Sequence, residues 1–202
     1  DRPTAPLQVW STPYGSVWAG KDLQSGGSWL GIGSNSQFAL LTNVRNSTLN
    51  MPGTAPSRGQ IVLDAIQTGS APNEKNSLQF AGFNLIHGNL QSLHFHCTSN
   101  QGIKLKNGFN FSTTVQSGLH SLSNGYLNAP WPKSRLLKTG LEKTIEAHCT
   151  KRASLPAFEQ TLLGLLADTE LAEDAELPST GVPYEWEKML SAVKIVSPLY
   201  GT

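Results

Sequence analysis

Apolar positions change their rhythm along the chain. Up to about residue 122 they come in short runs broken by Gly, Asn and Ser, and after Pro132 they recur every three or four residues. The first rhythm predicts strands and the second predicts helices. Residues 8–45 read as a β meander, with Gln8–Trp10 and Val17–Trp18 as short strands and Gln24-Ser25-Gly26-Gly27 as a turn. Ser28–Gly33 and Gln37–Asn43 then form a hairpin across Ser34-Asn35-Ser36. Trp29, Leu30, Ile32, Phe38, Leu40 and Leu41 make nearly continuous apolar runs, the pattern of strands covered on both faces.

Ser57-Arg58-Gly59-Gln60 has the spacing of a capping box, in which the Ser57 hydroxyl and Gln60 amide serve the first turn. Ile61, Val62, Ala65 and Ile66 follow at helical spacing, and Gly69 stops the run. Phe80–His87 and Gln91–Thr98 read as a second hairpin across Gly88-Asn89. Ile103–Leu105 and Phe109–Leu122 add strand. Pro132 suits the first position of a helix whose Leu137, Leu141, Ile145 and His148 share a face. Leu155–Ala167 and Val182–Leu190 read as further helices, and Val193–Ser197 as a closing strand. Strands early and helices late predict an α+β fold with layered sheets flanked by helices.

Length allows one domain, and the hydrophobic share of 38% suits a globular chain. Disorder is excluded, because charge is low rather than high. A net charge of +1 argues against a nucleic-acid protein gripping phosphates with a broad basic face. No apolar run approaches the roughly 18 residues of a membrane span. The charge is divided unevenly: residues 1–141 carry ten Lys/Arg and four Asp/Glu, residues 142–202 five and ten. The acidic stretch from Asp168 to Glu187 reads as a solvated surface or as a docking face for a basic partner. Two cysteines are no disulfide framework.

Few residues announce chemistry. His94 and His96 share one strand face and could begin a metal or haem-iron site. Alternatively they face solvent while Phe95 and Cys97 enter the core. No third ligand is evident, and no metal site is assigned. Cys97 and Cys149 read as structural rather than nucleophilic. Asn43 and Asn124 each end an apolar strand and run into a loop (Leu41-Thr42-Asn43 and Leu122-Ser123-Asn124), where an amide can donate to a developing oxyanion or cap a turn. Arg45 and Arg58 flank the Pro/Gly/Ser loop 46–57, and either can grip a carboxylate or tether the loop. No Walker loop, dinucleotide fingerprint, nucleophile elbow or zinc-protease motif is present.

Several segments resemble one family in order along the chain. These are Arg2-Pro3-Thr4-Ala5-Pro6, Gly26-Gly27-Ser28-Trp29-Leu30-Gly31, and Phe38-Ala39-Leu40-Leu41-Thr42-Asn43-Val44-Arg45. Ser57-Arg58-Gly59, Gly82-Phe83-Asn84-Leu85, Leu122-Ser123-Asn124, Pro130-Trp131-Pro132-Lys133, Leu177-Pro178-Ser179-Thr180-Gly181 and Tyr200-Gly201-Thr202 continue the match. Together they resemble the NRDE family, also called the transport and Golgi organisation protein 2 family. The resemblance implies a single domain over 1–202, and a four-layer αββα sandwich like that of N-terminal-nucleophile hydrolases. The family's N-terminal Met-Cys, its Asn-Arg-Asp-Glu signature and a later Arg-Ser-Ser-Thr strand do not occur here, so segments are expected beyond both ends.

The resemblance implies two functions. One is binding or trafficking of an apolar, anionic ligand, with haem as the leading candidate. Trp29, Phe38, Tyr126 and Trp131 would meet its body, and Arg45, Arg58 or Lys133 its carboxylates or phosphates. The other is an amidohydrolase acting on a linear amide bond, with Asn124 and Asn43 as oxyanion donors and a cysteine nucleophile upstream of residue 1. Whether the protein is an enzyme stays open at this point. No cofactor is required by either function. The partner expected is a small molecule, and the expected location is the cytoplasm.

Overall fold

The computed structural model describes residues 2–13, 15–44, 55–105, 108–151 and 154–197. The fold is α+β. An antiparallel sheet of seven strands runs in sequence order: β1 (Thr4–Thr12), β2 (Gly15–Asp22), β3 (Leu30–Gly33), β4 (Gln37–Asn43), β5 (Phe83–Asn89), β6 (His94–Leu105) and β7 (Gly108–Thr114). Among the described residues five helices accompany it: α1 (Gly59–Thr68), α2 (Glu74–Ser77), α3 (Pro132–Lys151), α4 (Leu155–Leu166) and α5 (Tyr184–Met189), with a 3₁₀ turn at Asp174–Glu176. None of the described helices is long and apolar enough to cross a membrane.

The chain forms two compact units. One holds Arg2–Ser117 with Ser123–Leu127, and contains the sheet, α1 and α2. The other holds Gly118–Leu122 with Asn128–Thr202, and contains the remaining helices.

In the sheet unit, α1 lies on one face. Ile61, Val62, Leu63, Ala65 and Ile66 of α1 pack with Val17, Ala19, Ala39, Leu41, Phe83 and Leu85 from the strands. Burying each large aliphatic side chain contributes about 1.5–3 kcal/mol. The helix ends where expected, at Gly69 in the left-handed region with φ 72°. The capping box does not form. The Gln60 amide turns forward to Asp64 (2.8 Å), and the Ser57 hydroxyl accepts from the Gly59 N–H at 3.3 Å.

The expectation that β3 and β4 are covered on both faces is corrected for the described residues. The registers Trp18↔Ile32 and Ile32↔Phe38 put these residues on the face opposite α1. Trp18 (43% exposed), Leu30 (43%) and Ile32 (38%) stay open on that face. The face toward α1 mixes small residues, Ala19, Gly31, Gly33 and Ala39, with Val17 and Leu41.

The second hairpin also differs. Gly88 and Asn89 lie inside β5, paired with Phe95 and His94, and the chain turns at residues 90–93, where Leu93 takes a positive φ of 56°. Gly88 is there because a Cβ would fall 2.1 Å from the His94 carbonyl oxygen. β1 and β2 are longer than their apolar signal. β7 ends at Thr114, so Asn124 lies in a loop and not at a strand end. Val193–Ser197 forms a single bridge at Ser197 rather than a strand. α3 and α4 match their expected spans within a few residues.

Candidate functional site at the end of strands β4 and β5

Asn43 closes β4, and the register Asn43↔Phe83 sets it beside the start of β5. The loop 123–127 is tied to the same place by side chains. The Asn124 amide donates to the Asn43 carbonyl at 2.9 Å. The Thr42 hydroxyl donates to the Ser123 carbonyl at 2.7 Å. Asn84, only 1% exposed, donates from its amide nitrogen to the Gly125 carbonyl (2.6 Å) and to the Thr42 hydroxyl (3.3 Å). A buried amide needs such partners, and this one holds the loop in place by meeting that need. Thus Asn43 and Asn124, 81 positions apart, are brought together.

Arg58 stands at the N-terminus of α1 and reaches the same end of the sheet. Its guanidinium donates to the Gly82 carbonyl at 2.8 Å, which also accepts from the Val44 N–H at 3.0 Å. The peptide between Asn43 and Val44 is therefore held on both sides, by Asn124 at its oxygen and by Gly82 at its nitrogen. Such chains of hydrogen bonds polarise one another. Desolvation, and then the neighbouring charge of Arg2, press the Arg58 pKa down from its ordinary value. No carboxylate among the described residues pairs with it. Arg2 is itself engaged by Asp22 and Ser25, both at 2.9 Å. Arg2 is the largest of the influences that lower the Asp22 pKa. Arg45 lies outside the described residues.

Trp29 sits near this end, since its carbonyl accepts from the Leu41 N–H at 2.8 Å. Its ring lies against Gly20, where an added Cβ would come within 2.9 Å, and its outer side is open. Phe38 is engaged edge-to-face with Phe95, with ring centroids 6.1 Å apart. Tyr126 is half-buried in the docked loop.

Trp131 and Lys133 belong to the helical unit. The Lys133 ammonium lies over the Trp131 ring, 5.7 Å from its centroid, and donates to the Leu190 carbonyl at 2.9 Å. Lys133 also lines a cavity of about 500 Å³ inside that unit.

The histidine strand forms a different arrangement. His94 and His96 are exposed, Cys97 is fully buried and Phe95 half-buried. His96 is stacked on His87 of the neighbouring strand, with ring centroids 5.7 Å apart. His87 is 7% exposed and its Nδ1 has no partner. Burial, and then the charge of His96, hold its pKa below the usual value, while a bond to the Gly69 backbone opposes this. No group of three or more metal-binding side chains occurs among the described residues. Cys97 and Cys149 are both free, and burial pushes the Cys97 thiol up to about 11.

Asn84 belongs to the site although nothing in the sequence assigns it a role beyond its place in the Gly82-Phe83-Asn84-Leu85 run. An Asn inside an otherwise apolar strand was the available signal, because a buried amide must be bonded.

The family model described as "Transport and Golgi organisation 2" matches residues 1–202. The human protein "Transport and Golgi organization protein 2 homolog" is 28% identical over 217 residues, covering the whole of this chain and 74% of its own length. The bovine protein of the same description is 27% identical over 220 residues, with the same coverage.

Proposed function

The chain belongs to the Transport and Golgi organisation 2 family, and from that premise we propose that it binds and carries an apolar, anionic small molecule, with haem the first candidate. The observation that carries this reading is Arg58. Its guanidinium is half-buried, is held by one backbone carbonyl, and meets no carboxylate among the described residues. A desolvated cation without a counter-charge gains strongly when an anion arrives, and a guanidinium grips a carboxylate through two parallel bonds. Trp29 offers an open ring near the same strand end for an apolar body. A carrier must release its cargo, so no permanent iron ligand is required.

A spectral titration with haem tests this. A saturable Soret shift is expected, weakened about tenfold or more in Arg58→Gln, the scale of one charge-assisted hydrogen bond. No saturable shift, or an unchanged affinity in a folded Arg58→Gln protein, overturns it.

The same reading takes the sheet as half of a four-layer αββα sandwich. The open apolar face carrying Trp18, Leu30 and Ile32 supports this, because a second sheet would bury it. The two free cysteines fit a reducing compartment, and the cytoplasm is the proposed location.

A second reading rests on the meeting of Asn43 and Asn124. The Asn124 amide spends one N–H on the Asn43 carbonyl and keeps the other. The Asn43 amide bonds to no described residue. Two such amides at one strand end can hold a developing oxyanion in an amidohydrolase whose nucleophile is the family's N-terminal cysteine. Labelling the full-length protein, with that cysteine free, by amide and thioester probes tests this. A protein that forms no acyl-enzyme with either probe is not such a hydrolase.

A further inference from the structure

The helical unit contains a cavity of about 500 Å³ that the family resemblance does not address. One wall is α3, which presents Leu136, Gly140 and Lys143 at spacings of four and three, hence on one face. Leu165 of α4 packs directly on Gly140, where an added Cβ would fall 2.5 Å from its Cδ2, and closes the floor. The other wall is the segment 168–176, carrying Asp168, Glu170 and Glu173.

That second wall is fixed in advance. The Ala172 N–H donates to the Ser191 hydroxyl at 2.9 Å, and the Lys188 ammonium to the Ala172 carbonyl at 2.7 Å. The Lys194 N–H donates to the Asp168 carbonyl, also at 2.7 Å. At one end the walls touch, where Arg135 pairs with Glu176. Two of the cations on the α3 side are thereby committed: Arg135 to Glu176, and Lys133 to the Leu190 carbonyl and the Trp131 ring.

The Asp168 carboxylate accepts the Glu170 N–H at 2.7 Å, and three charges of opposite sign are left. Lys143 has no partner among the described residues. The Glu170 and Glu173 carboxylates accept no hydrogen bond from a described residue. The cavity thus holds a positive end on the helix, negative charge on the facing wall, and an apolar floor between.

We propose that this cavity binds a short apolar peptide with free ends, its carboxylate on Lys143 and its ammonium on Glu170 and Glu173. A purely anionic ligand would meet the acidic wall, and a purely cationic one would waste Lys143. A free amino acid carries both charges on one carbon and puts no apolar body between them to meet Leu136 and Leu165. A dipeptide separates them across an apolar body, and the volume lies within the range of small-molecule pockets. The site lies wholly in the helical unit, so it stands or falls separately from the Arg58 reading.

The test is a titration of the full chain with Leu-Leu dipeptide, followed by amide NMR shifts. N-acetyl-Leu-Leu-amide, which carries neither charge, is the control. Saturable shifts confined to the neighbourhood of Gly140 and Ala172 are expected, with the capped peptide weaker by about fivefold. Lys143→Gln should weaken Leu-Leu about threefold and leave the capped peptide unchanged, the scale of one exposed charge contact. Lys143 is exposed and unpaired, so this variant keeps its fold. Absence of saturable shifts, equal binding of the two peptides, or indifference to Lys143→Gln overturns the proposal. Tighter binding of leucylamide, which carries only the ammonium, than of Leu-Leu also overturns it.

Discussion

Replacing Asn84 by Ala should loosen the loop that carries Asn124 far more than replacing Asn124 itself. Asn84 is 1% exposed, and its amide makes two hydrogen bonds, at 2.6 Å to the Gly125 carbonyl and 3.3 Å to the Thr42 hydroxyl. Each contributes about 1 kcal/mol net, and the longer one less. The substitution also leaves the Gly125 carbonyl without this donor, which costs about 1–3 kcal/mol if water cannot reach it. The sum is about 2–4 kcal/mol. Asn124 donates from an exposed position at 2.9 Å, and water replaces that bond, so Asn124→Ala should cost about 0.5 kcal/mol. Urea unfolding followed by tryptophan fluorescence and far-UV circular dichroism measures both. With a slope of about 1–3 kcal/mol per molar urea, Asn84→Ala should lower the sheet unit's midpoint by about 1–2 M, and Asn124→Ala by a few tenths. Equal shifts for the two variants, or a loss under 1 kcal/mol in Asn84→Ala, would refute the assignment of Asn84 as the loop's anchor.

Three further outcomes follow from buried groups. The His87 pKa is held below its unfolded value, so stability from the neutral ring is full above about pH 6.5 and is lost as pH falls from there through the folded pKa. His87→Gln should flatten the fall in urea midpoint between pH 7.5 and 5, and an unchanged slope would show that another group dominates. Gly88→Ala should cost about 1–3 kcal/mol, because the added Cβ meets the backbone of His94 and Phe95, which cannot swing aside; a neutral midpoint would contradict the close approach. Cys149 should react quickly with Ellman's reagent while Cys97, buried and raised to about 11, stays silent until denaturant is added; two fast thiols in the native protein would count against that.

How far the fold could be read from the sequence depended on local signal. The β3–β4 hairpin was legible because Ser34-Asn35-Ser36 separates two apolar runs, and the turn indeed falls there. α3 and α4 were legible from Pro132 and from leucines at helical spacing. β1 was undersized in the reading because an edge strand with exposed Leu7 and Val9 shows no in-and-out alternation. Gly88-Asn89 misled because glycine serves two ends. It permits a turn, and it also permits the close strand approach found here. The two-sided covering of β3 and β4 misled for a related reason. Apolar runs report that residues avoid water, not which partner covers them.

The candidate site was half legible, and the missing half is instructive. Asn43 and Asn124 drew attention singly, each after an apolar run. Nothing in the spacing shows that they meet, because the contact is made through Thr42, Asn84 and the backbone of residues 123–125, none of which is charged. The loop has no strand ladder of its own at Asn124, so its position is set by two side chains reaching across from β4 and β5, Thr42 and Asn84, and by Asn124 reaching back to the Asn43 carbonyl. A loop held this way can stay fixed while its outer surface remains free to contact a ligand. Arg58 follows the same logic from the helix side. One N–H is spent on Gly82, which fixes the guanidinium at the strand end. Its remaining donors face a region where no described carboxylate competes for them. Structural and functional demands are thus divided within the cluster. The Asn84 amide donors and the Thr42 hydroxyl are spent on the protein, while Arg58, Asn43 and Asn124 keep free donors. A ligand with an anionic group would complete that second set, which is why Asn84 is expected to govern stability and Arg58, Asn43 and Asn124 binding.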